Sequence, residues 1–457
     1  MEASSVLQPQ RLPQRLLSRR GSPDSRGLAR WYYLASGFFL LQTIGAFGVV
    51  SRLYYGDWQG GFTETTKLAV ILNVLTMVVS PVLFWRGVRK TGSISAGGIL
   101  AILLAVFLLV SVAWSIDPST TLRRGLLYVF FVLGVIGVAT NLKSDEFIDL
   151  VSTICFLSAI ASLVLLAVFP SYAIMGDSGS LGEPMRGIFA HKNVLGQVMA
   201  VGALASIHRV RASRKGRLRS VAKLVVFLVM AFASKSSTSL LTIVYLYCLS
   251  GIIMLVRGGG AARILGVSLT VLLIPISVTV ALFSDFFLEM IGKDPTLTGR
   301  TVLWEIVINE IYERLMLGWG FFAFWGPANP IASAISASLG WGVAHAHNGL
   351  LEMLLELGII GAAFIIVIFV RNVALACRCL RTSASELGTS TLLCCGAIVF
   401  TGTTEAVLLD NTEVWTSMFF ILGLMCERIV RAVRSSQYLT VSRAVPRVSG
   451  AIQAGRF

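Results

Sequence analysis

Long apolar runs separated by short polar stretches recur along most of the chain. A membrane-spanning helix needs roughly 17–25 mostly apolar residues. Segments 31–50, 68–85, 97–114, 125–140, 147–169, 193–208, 220–234, 238–256, 263–284, 348–370, 389–407 and 414–430 fit that length or fall slightly short of it. The pattern predicts about 12 transmembrane helices and an all-α polytopic membrane protein. Residues 1–30, rich in Arg, Pro, Ser and Gln, read as a disordered cytoplasmic tail, and 431–457 as a second cytoplasmic tail. Between helices 1–9 (31–284) and helices 10–12 (348–430) lies one long interruption, 285–347.

Composition agrees with that class. Hydrophobic residues make up 55% of the chain and charged residues 13%, against about 25% charged in a soluble domain; mean hydropathy is +0.79. The net charge of +15 raises the possibility of a nucleic-acid partner, but its distribution excludes one. Basic residues gather in the short segments between apolar runs, not on a soluble face interleaved with aromatics. With the N-terminus inside, 27 of the 38 Lys and Arg fall on the cytoplasmic side, 10 on the other, and Lys223 within a span. Such a bias predicts both termini in the cytoplasm and the 285–347 loop in the periplasm of a bacterial inner membrane.

Several chemistries leave no trace. There is no GxxxxGK[ST] phosphate loop to drive transport with ATP, and no Asp-x-Asp pair to hold a metal against a nucleotide-sugar. Cys377 and Cys379 form a C-x-C without a partner pair. No cysteine falls in an expected periplasmic loop, so no disulfide framework is expected.

Polar chemistry concentrates in three groups, all on the expected periplasmic side. The first runs from Arg186 through His191, Lys192 and Asn193. The second is Thr298-Gly299-Arg300-Thr301 with Trp304. The third is His345-Ala346-His347-Asn348. The fourth histidine, His208, reads as a membrane-interface residue. A helix starting near His347 would carry Leu351, Leu354, Gly358 and Gly361 along one face, the glycines admitting a neighbouring backbone. Glu352 and Glu356, costly in lipid, are expected to face the bundle interior. Each feature has an ordinary explanation. A His at a helix start is more often a cap than a catalyst, a rim Arg more often an anchor, and His345 with His347 lack an evident third zinc ligand. Their grouping carries the case.

Taken together, the three groups resemble the O-antigen ligase and O-antigen polymerase family, and within it the exopolysaccharide polymerase-like branch. The family pattern of His, then Asn, Ser or Gln, then nine residues and Gly-x-x-Gly reads here as His347, Asn348, 349–357, Gly358 and Gly361. Arg186 to Asn193 resembles the family stretch ending in His-Lys-Asn, and Gly299-Arg300-Thr301 with Trp304 its Gly-Arg-Thr-x-x-Trp stretch. Trp114-Ser115-Ile116-Asp117-Pro118 also recurs in relatives. Where many relatives carry Arg or Lys just before the equivalent of Thr238, this chain has Ser237, with Lys235 two residues earlier.

The resemblance implies a C-type membrane glycosyltransferase. Such an enzyme moves an oligosaccharide from undecaprenyl diphosphate to a sugar hydroxyl on the periplasmic face, without cofactor or metal. His347 is then the expected general base, with His345 in reserve. Arg186 and Arg300, with Lys192 and Arg123, would bind the diphosphate. His191, Asn193, Asn348, Gly358 and Gly361 would support them. The expected role is polymerising exopolysaccharide or O-antigen repeat units; the alternative is joining O-antigen to lipid A-core. The expected partners are the lipid-linked donor, the acceptor glycan, and chain-length regulator or export proteins. A transporter or flippase would instead place ionisable residues deep in its spans and show repeat-related halves. A noncatalytic assembly subunit would leave the clustered Arg and His unused.

Overall fold

A computed structural model describes residues 23–46, 67–176, 182–269, 298–326, 329–406 and 413–444. Among these, helices account for nearly all of the regular structure. In chain order they are α1 (Pro23–Thr43), α2 (Lys67–Thr91), α3 (Ala96–Val110), α4 (Pro118–Asn141), α5 (Ser144–Val168), α6 (Lys192–Ala212) and α7 (Arg217–Ala233). They continue with α8 (Ser237–Arg257), α9 (Gly260–Leu269), α10 (Thr298–Glu313), α11 (Pro330–Leu339), α12 (Gly349–Cys379), α13 (Ser385–Gly402) and α14 (Val414–Ala444).

Every apolar run expected to span the bilayer coincides with a helix, except that most of 263–284 lies outside the described residues. Among the described residues, six helices are long and apolar enough to cross a membrane: Val70–Thr91, Ala96–Ala113, Pro118–Asn141, Ser144–Val168, Ser237–Arg257 and Gly349–Cys379. The protein is an all-α, multi-pass membrane protein. In lipid, helices are the element that satisfies its own backbone, so the sequence has only to mark where each begins. It does so with caps. Ser95 accepts from Gly98 N, and Asp117 from Thr120 N with Pro118 at the first helical position. Ser236 accepts from Ser239 N, and Asn348 from Leu350 N and Leu351 N.

The bundle core is aromatic at its centre. Tyr128, Phe131, Phe39, Phe419, Phe420 and Trp415 are all buried, with Phe131 edge-on to Phe420 and stacked on Phe39. Trp415 satisfies its indole N–H by donating to Gln197 Oε1 at 2.6 Å, as a buried indole must.

Cross-helix bonds sort the helix ends into two poles. At one, Arg211 and Arg257 share Glu386, Arg209 pairs with Asp149, and Arg371 and Arg431 share Glu427. There too Arg428 and Lys90 donate to the last carbonyls of α4, at Thr140 among others, where cations suit the helix dipole. His208 belongs to this pole, but not as an interface residue. It is 3% exposed, with Nδ1 2.7 Å from Ser390 Oγ and Nε2 3.7 Å from Asp145.

The opposite pole holds the three polar groups. The long interruption is structured there, as far as it is described. Leu303, Val307 and Ile311 of α10, Ile335 of α11, and Trp319, Phe324, Val343 and Ala346 form a second small core that reaches α12 at Leu355.

α12 is not the continuous helix that its apolar period suggests. It breaks at Gly358, which lies at φ 62° and ψ −168°, a conformation essentially reserved for glycine. The segment after α10 fills the break. Trp319 N and Gly320 N donate to the carbonyls of Leu355 and Glu356, while Ile359 N and Ile360 N donate to those of Leu315 and Met316. A Cβ on Gly358 would sit 2.4 Å from the Met316 backbone, and one on Gly318 2.4 Å from that of Glu356. The expectation that Gly358 and Gly361 form one bare helix face is therefore corrected. Gly358 makes room for a crossing chain segment, whereas Gly361 packs on Phe107 of α3.

Candidate active site

The turn His345-Ala346-His347 precedes α12 and is fixed from both sides. Ala346 N donates to Glu352 Oε2 at 2.6 Å, and Ala346 O accepts from Trp304 Nε1 at 2.9 Å. Glu352 is 5% exposed, and its other oxygen accepts from Trp325 Nε1 at 2.9 Å. Glu356, 2% exposed, faces inward one turn later and takes the N–H of Phe322. Both glutamates thus point into the protein, as their cost in lipid requires, and both hold backbone in place.

This clamp sets the two imidazoles 4.0 Å apart between ring centroids, with Trp341 5.6 Å from His347. His347 has φ +52°, outside helical space, so the helix starts after it with Asn348 as the cap. His345 Nδ1 accepts from His347 N at 3.1 Å, which puts the proton of its neutral ring on Nε2.

The third member is Glu405, from the turn after α13. Donor atoms of His345, His347 and Glu405 lie within 4.8 Å of one another. Glu405 Oε1 also accepts from Asn193 Nδ2 at 2.9 Å. Asn193 opens α6, whose cap is His191: its Nδ1 accepts from Asn193 N at 3.2 Å. Burial, then Lys192 and Arg186 nearby, push the His191 imidazole down to about 4. Next to Glu405, the hydroxyls of Thr404 and Thr238 approach to 3.5 Å.

The first group is pinned as a loop. Arg186 N and Gly187 N both donate to Ala173 O, and Met185 N donates to Ala233 O. Arg186 is 7% exposed and uses Nε on Tyr172 O. Lys235, at φ 50°, donates to Gly182 O, on the border of the same loop. The Trp114 to Pro118 stretch locks the crossing segment. Trp114 Nε1 donates to Leu317 O, Ile116 N to Trp319 O, and Thr121 Oγ1 to Phe321 O. Asp117 caps α4; burial would raise its carboxyl, but hydrogen bonds from Thr120 and Ser119 outweigh it and hold the carboxyl below its ordinary value.

Of the residues singled out in sequence, His345, His347, Asn348, His191 and Asn193 come together at one locus. Arg186 and Lys192 border it through His191. Trp304 brings the second group to the same turn, although the side chain of Arg300 itself lies outside the described residues. Arg123 is exposed on the first turns of α4. Its neighbour Arg124 instead lies 4.5 Å over the Phe322 ring, on the crossing segment. Sequence reasoning missed Glu405, a carboxylate inside an apolar run expected to be a span. That cost in lipid was the available signal.

His345, His347 and Glu405 are also the only group of donors close enough to hold a metal ion among the described residues. Glu405 thus supplies the third ligand that the sequence lacked. The fit is loose. Zn²⁺ at about 2.1 Å from each donor brings donors to roughly 3.4 Å, so separations of up to 4.8 Å would have to close.

A family model described as O-antigen ligase matches residues 222–366, from α7 to the middle of α12. Over this stretch the chain is similar to that family. It is also 26% identical to the exopolysaccharide production protein ExoQ of Rhizobium meliloti (strain 1021) over 374 residues, covering 79% of this chain and 78% of the relative. The chain is therefore similar both to O-antigen ligases and to a protein of exopolysaccharide production. The family match contains His345, His347 and the break in α12. Asn193 and Glu405, which complete the locus, lie outside it.

Proposed function

We propose that this protein is a glycosyltransferase of the bacterial inner membrane, with both termini in the cytoplasm. It would transfer an oligosaccharide from undecaprenyl diphosphate to a sugar hydroxyl at a periplasmic site, polymerising exopolysaccharide repeat units. The observation that carries the reading is the convergence of His345, His347, Glu405 and Asn193 from three separate stretches of chain. The ExoQ likeness favours polymerisation over ligation to lipid A-core.

In this reading His347 takes the proton from the acceptor hydroxyl as its oxygen bonds to the anomeric carbon of the donor. The bond from that carbon to the diphosphate oxygen breaks, and undecaprenyl diphosphate leaves with the electron pair. A base of near-neutral pKa suits the step. Between the two histidines, His347 is favoured because the neutral His345 ring already uses Nδ1 as an acceptor and carries its proton on Nε2. Glu405, held by Asn193, would stabilise the imidazolium as it forms. Arg186 and Arg300, with Lys192 and Arg123 farther out, would neutralise the leaving diphosphate, which planar guanidinium forks match well.

The test is the lipid-linked intermediate that accumulates in a deletion strain. A single repeat unit on the carrier supports polymerisation. A full-length chain left on the carrier would mean ligation, and no lipid-linked glycan would contradict both. A metal-assisted reading of the same triad predicts loss of purified activity with a chelator and recovery with Zn²⁺; proton transfer by His347 predicts neither.

A further inference from the structure

At the pole opposite the histidines, the last turns of α12 and the middle of α14 line an open cavity of about 350 Å³. Its walls are two matching stripes. α12 contributes Arg371, Ala374, Leu375 and Arg378, and α14 contributes Glu427, Val430, Arg431 and Arg434. Each set follows the i, i+3, i+4, i+7 spacing of one helix face. The helices are fastened to each other by Asn372 Nδ2 donating to Phe419 O at 3.1 Å and by Cys379 Sγ to Cys426 O at 3.5 Å.

The charges in this cavity do not balance. Glu427 is 5% exposed and is shared by Arg371 and Arg431; Gly97 N adds a hydrogen bond at 3.1 Å. Its acceptor capacity is therefore taken up on the inner side. Arg378 and Arg434 stand exposed at the mouth, without a salt bridge among the described residues. The lining holds four guanidinium groups against one carboxylate. Glu386 at the same pole is likewise shared by two arginines, Arg211 and Arg257.

The surroundings are apolar in one direction. Leu375 and Val430 line the cavity, and from it Val370, Val367 and Ile366 lead along α12 toward its middle, each more than half exposed. A forked cationic pocket that opens onto an exposed aliphatic track matches a phosphate oxyanion carrying hydrocarbon chains. Guanidinium groups take phosphate oxygens in pairs, and basic pockets between transmembrane helices on the cytoplasmic side take anionic headgroups.

We propose that this cavity binds the phosphodiester headgroup of an anionic phospholipid, with the acyl chains along the Ile366, Val367 and Val370 face of α12. The site is independent of the glycan-transfer reading, because it lies at the other pole and shares no residue with it.

The experiment uses the full-length protein in neutral detergent, incubated with equal amounts of phosphatidylglycerol and phosphatidylcholine, and measures protein-bound lipid by native mass spectrometry. Arg378→Gln with Arg434→Gln removes the mouth cations and leaves both Glu427 pairs intact. Arg214→Gln with Lys215→Gln removes equal charge from another exposed loop at the same pole. Each arginine near an anionic headgroup contributes roughly a fivefold preference. The first double variant should therefore lose on the order of 20-fold of the selectivity for phosphatidylglycerol, while the second keeps it. Unchanged selectivity in the first variant, or equal loss in both, overturns the proposal. So does displacement of bound lipid by millimolar inorganic phosphate, which would mark a site for the free anion.

Discussion

The break in α12 can be tested through Gly358→Ala. Alanine cannot adopt φ 62° and ψ −168° without strain of about 1–3 kcal/mol, and its Cβ would meet the Met316 backbone at 2.4 Å. The relaxed outcome is a continuous helix, in which Ile359 N and Ile360 N reclaim the carbonyls of Leu355 and Glu356. Trp319 N and Gly320 N then lose those acceptors, and Leu315 O and Met316 O lose their donors. Four inter-segment hydrogen bonds, three of 2.9 Å and one of 3.2 Å, disappear. At about 1 kcal/mol net each, segment 314–322 loses on the order of 4 kcal/mol of local stability. Amide exchange followed by mass spectrometry reads that directly. Since 1.36 kcal/mol is a factor of ten, exchange across 314–322 should speed up by as much as about 1,000-fold. Gly251→Ala is the control: nothing lies within 4 Å of its Cβ, inside α8, so no peptide should change. Exchange across 314–322 within a few-fold of the parent in folded Gly358→Ala would refute this account of the break.

Three further outcomes are expected. Trp304→Phe removes the donor to Ala346 O and loosens the turn that carries both histidines, so polymer output should fall roughly tenfold at equal protein level; a loss matched by loss of protein would point to folding alone. Glu405→Gln keeps an acceptor for Asn193 but removes the charge, and turnover should drop by about 100-fold or more with donor binding retained. His191 titrates well below its ordinary range in the folded protein, at about 4. Between that value and roughly 6.5 the unfolded chain binds more protons, so its contribution to stability is complete above about pH 6.5 and is lost as pH falls toward 4. That contribution is at most about 3 kcal/mol. His191→Asn retains a capping side chain and should flatten this part of the thermal stability profile; an unchanged pH slope would exclude His191 as its source.

The helices were legible because lipid leaves the backbone one solution, and apolar run length alone reports it. The start of α12 was legible to within two residues, whereas α4 begins at Pro118, seven residues before the apolar run that announced it. The locus was legible through His345, His347 and the His191 to Asn193 stretch, since polar residues at the rim of apolar runs stand out. Two things were hidden. A glycine on an apolar face looks the same whether it admits a neighbouring helix or breaks its own, and only the 315–320 segment crossing at Gly358 decides. Glu405 sits in a run whose hydropathy masks one carboxylate, and its partners lie far away at Asn193 and His347. The role of Glu352 in clamping Ala346 N was likewise invisible, although its inward direction was not.

Glycan transfer is proposed to take place at the His345, His347 and Glu405 locus. The most direct measurement is release of undecaprenyl diphosphate from a lipid-linked repeat unit by purified protein in lipid nanodiscs, comparing the parent with His347→Ala. The variant is expected to bind the lipid-linked donor still but to release no carrier above background. Carrier release at the parental rate from the folded variant would contradict the proposal.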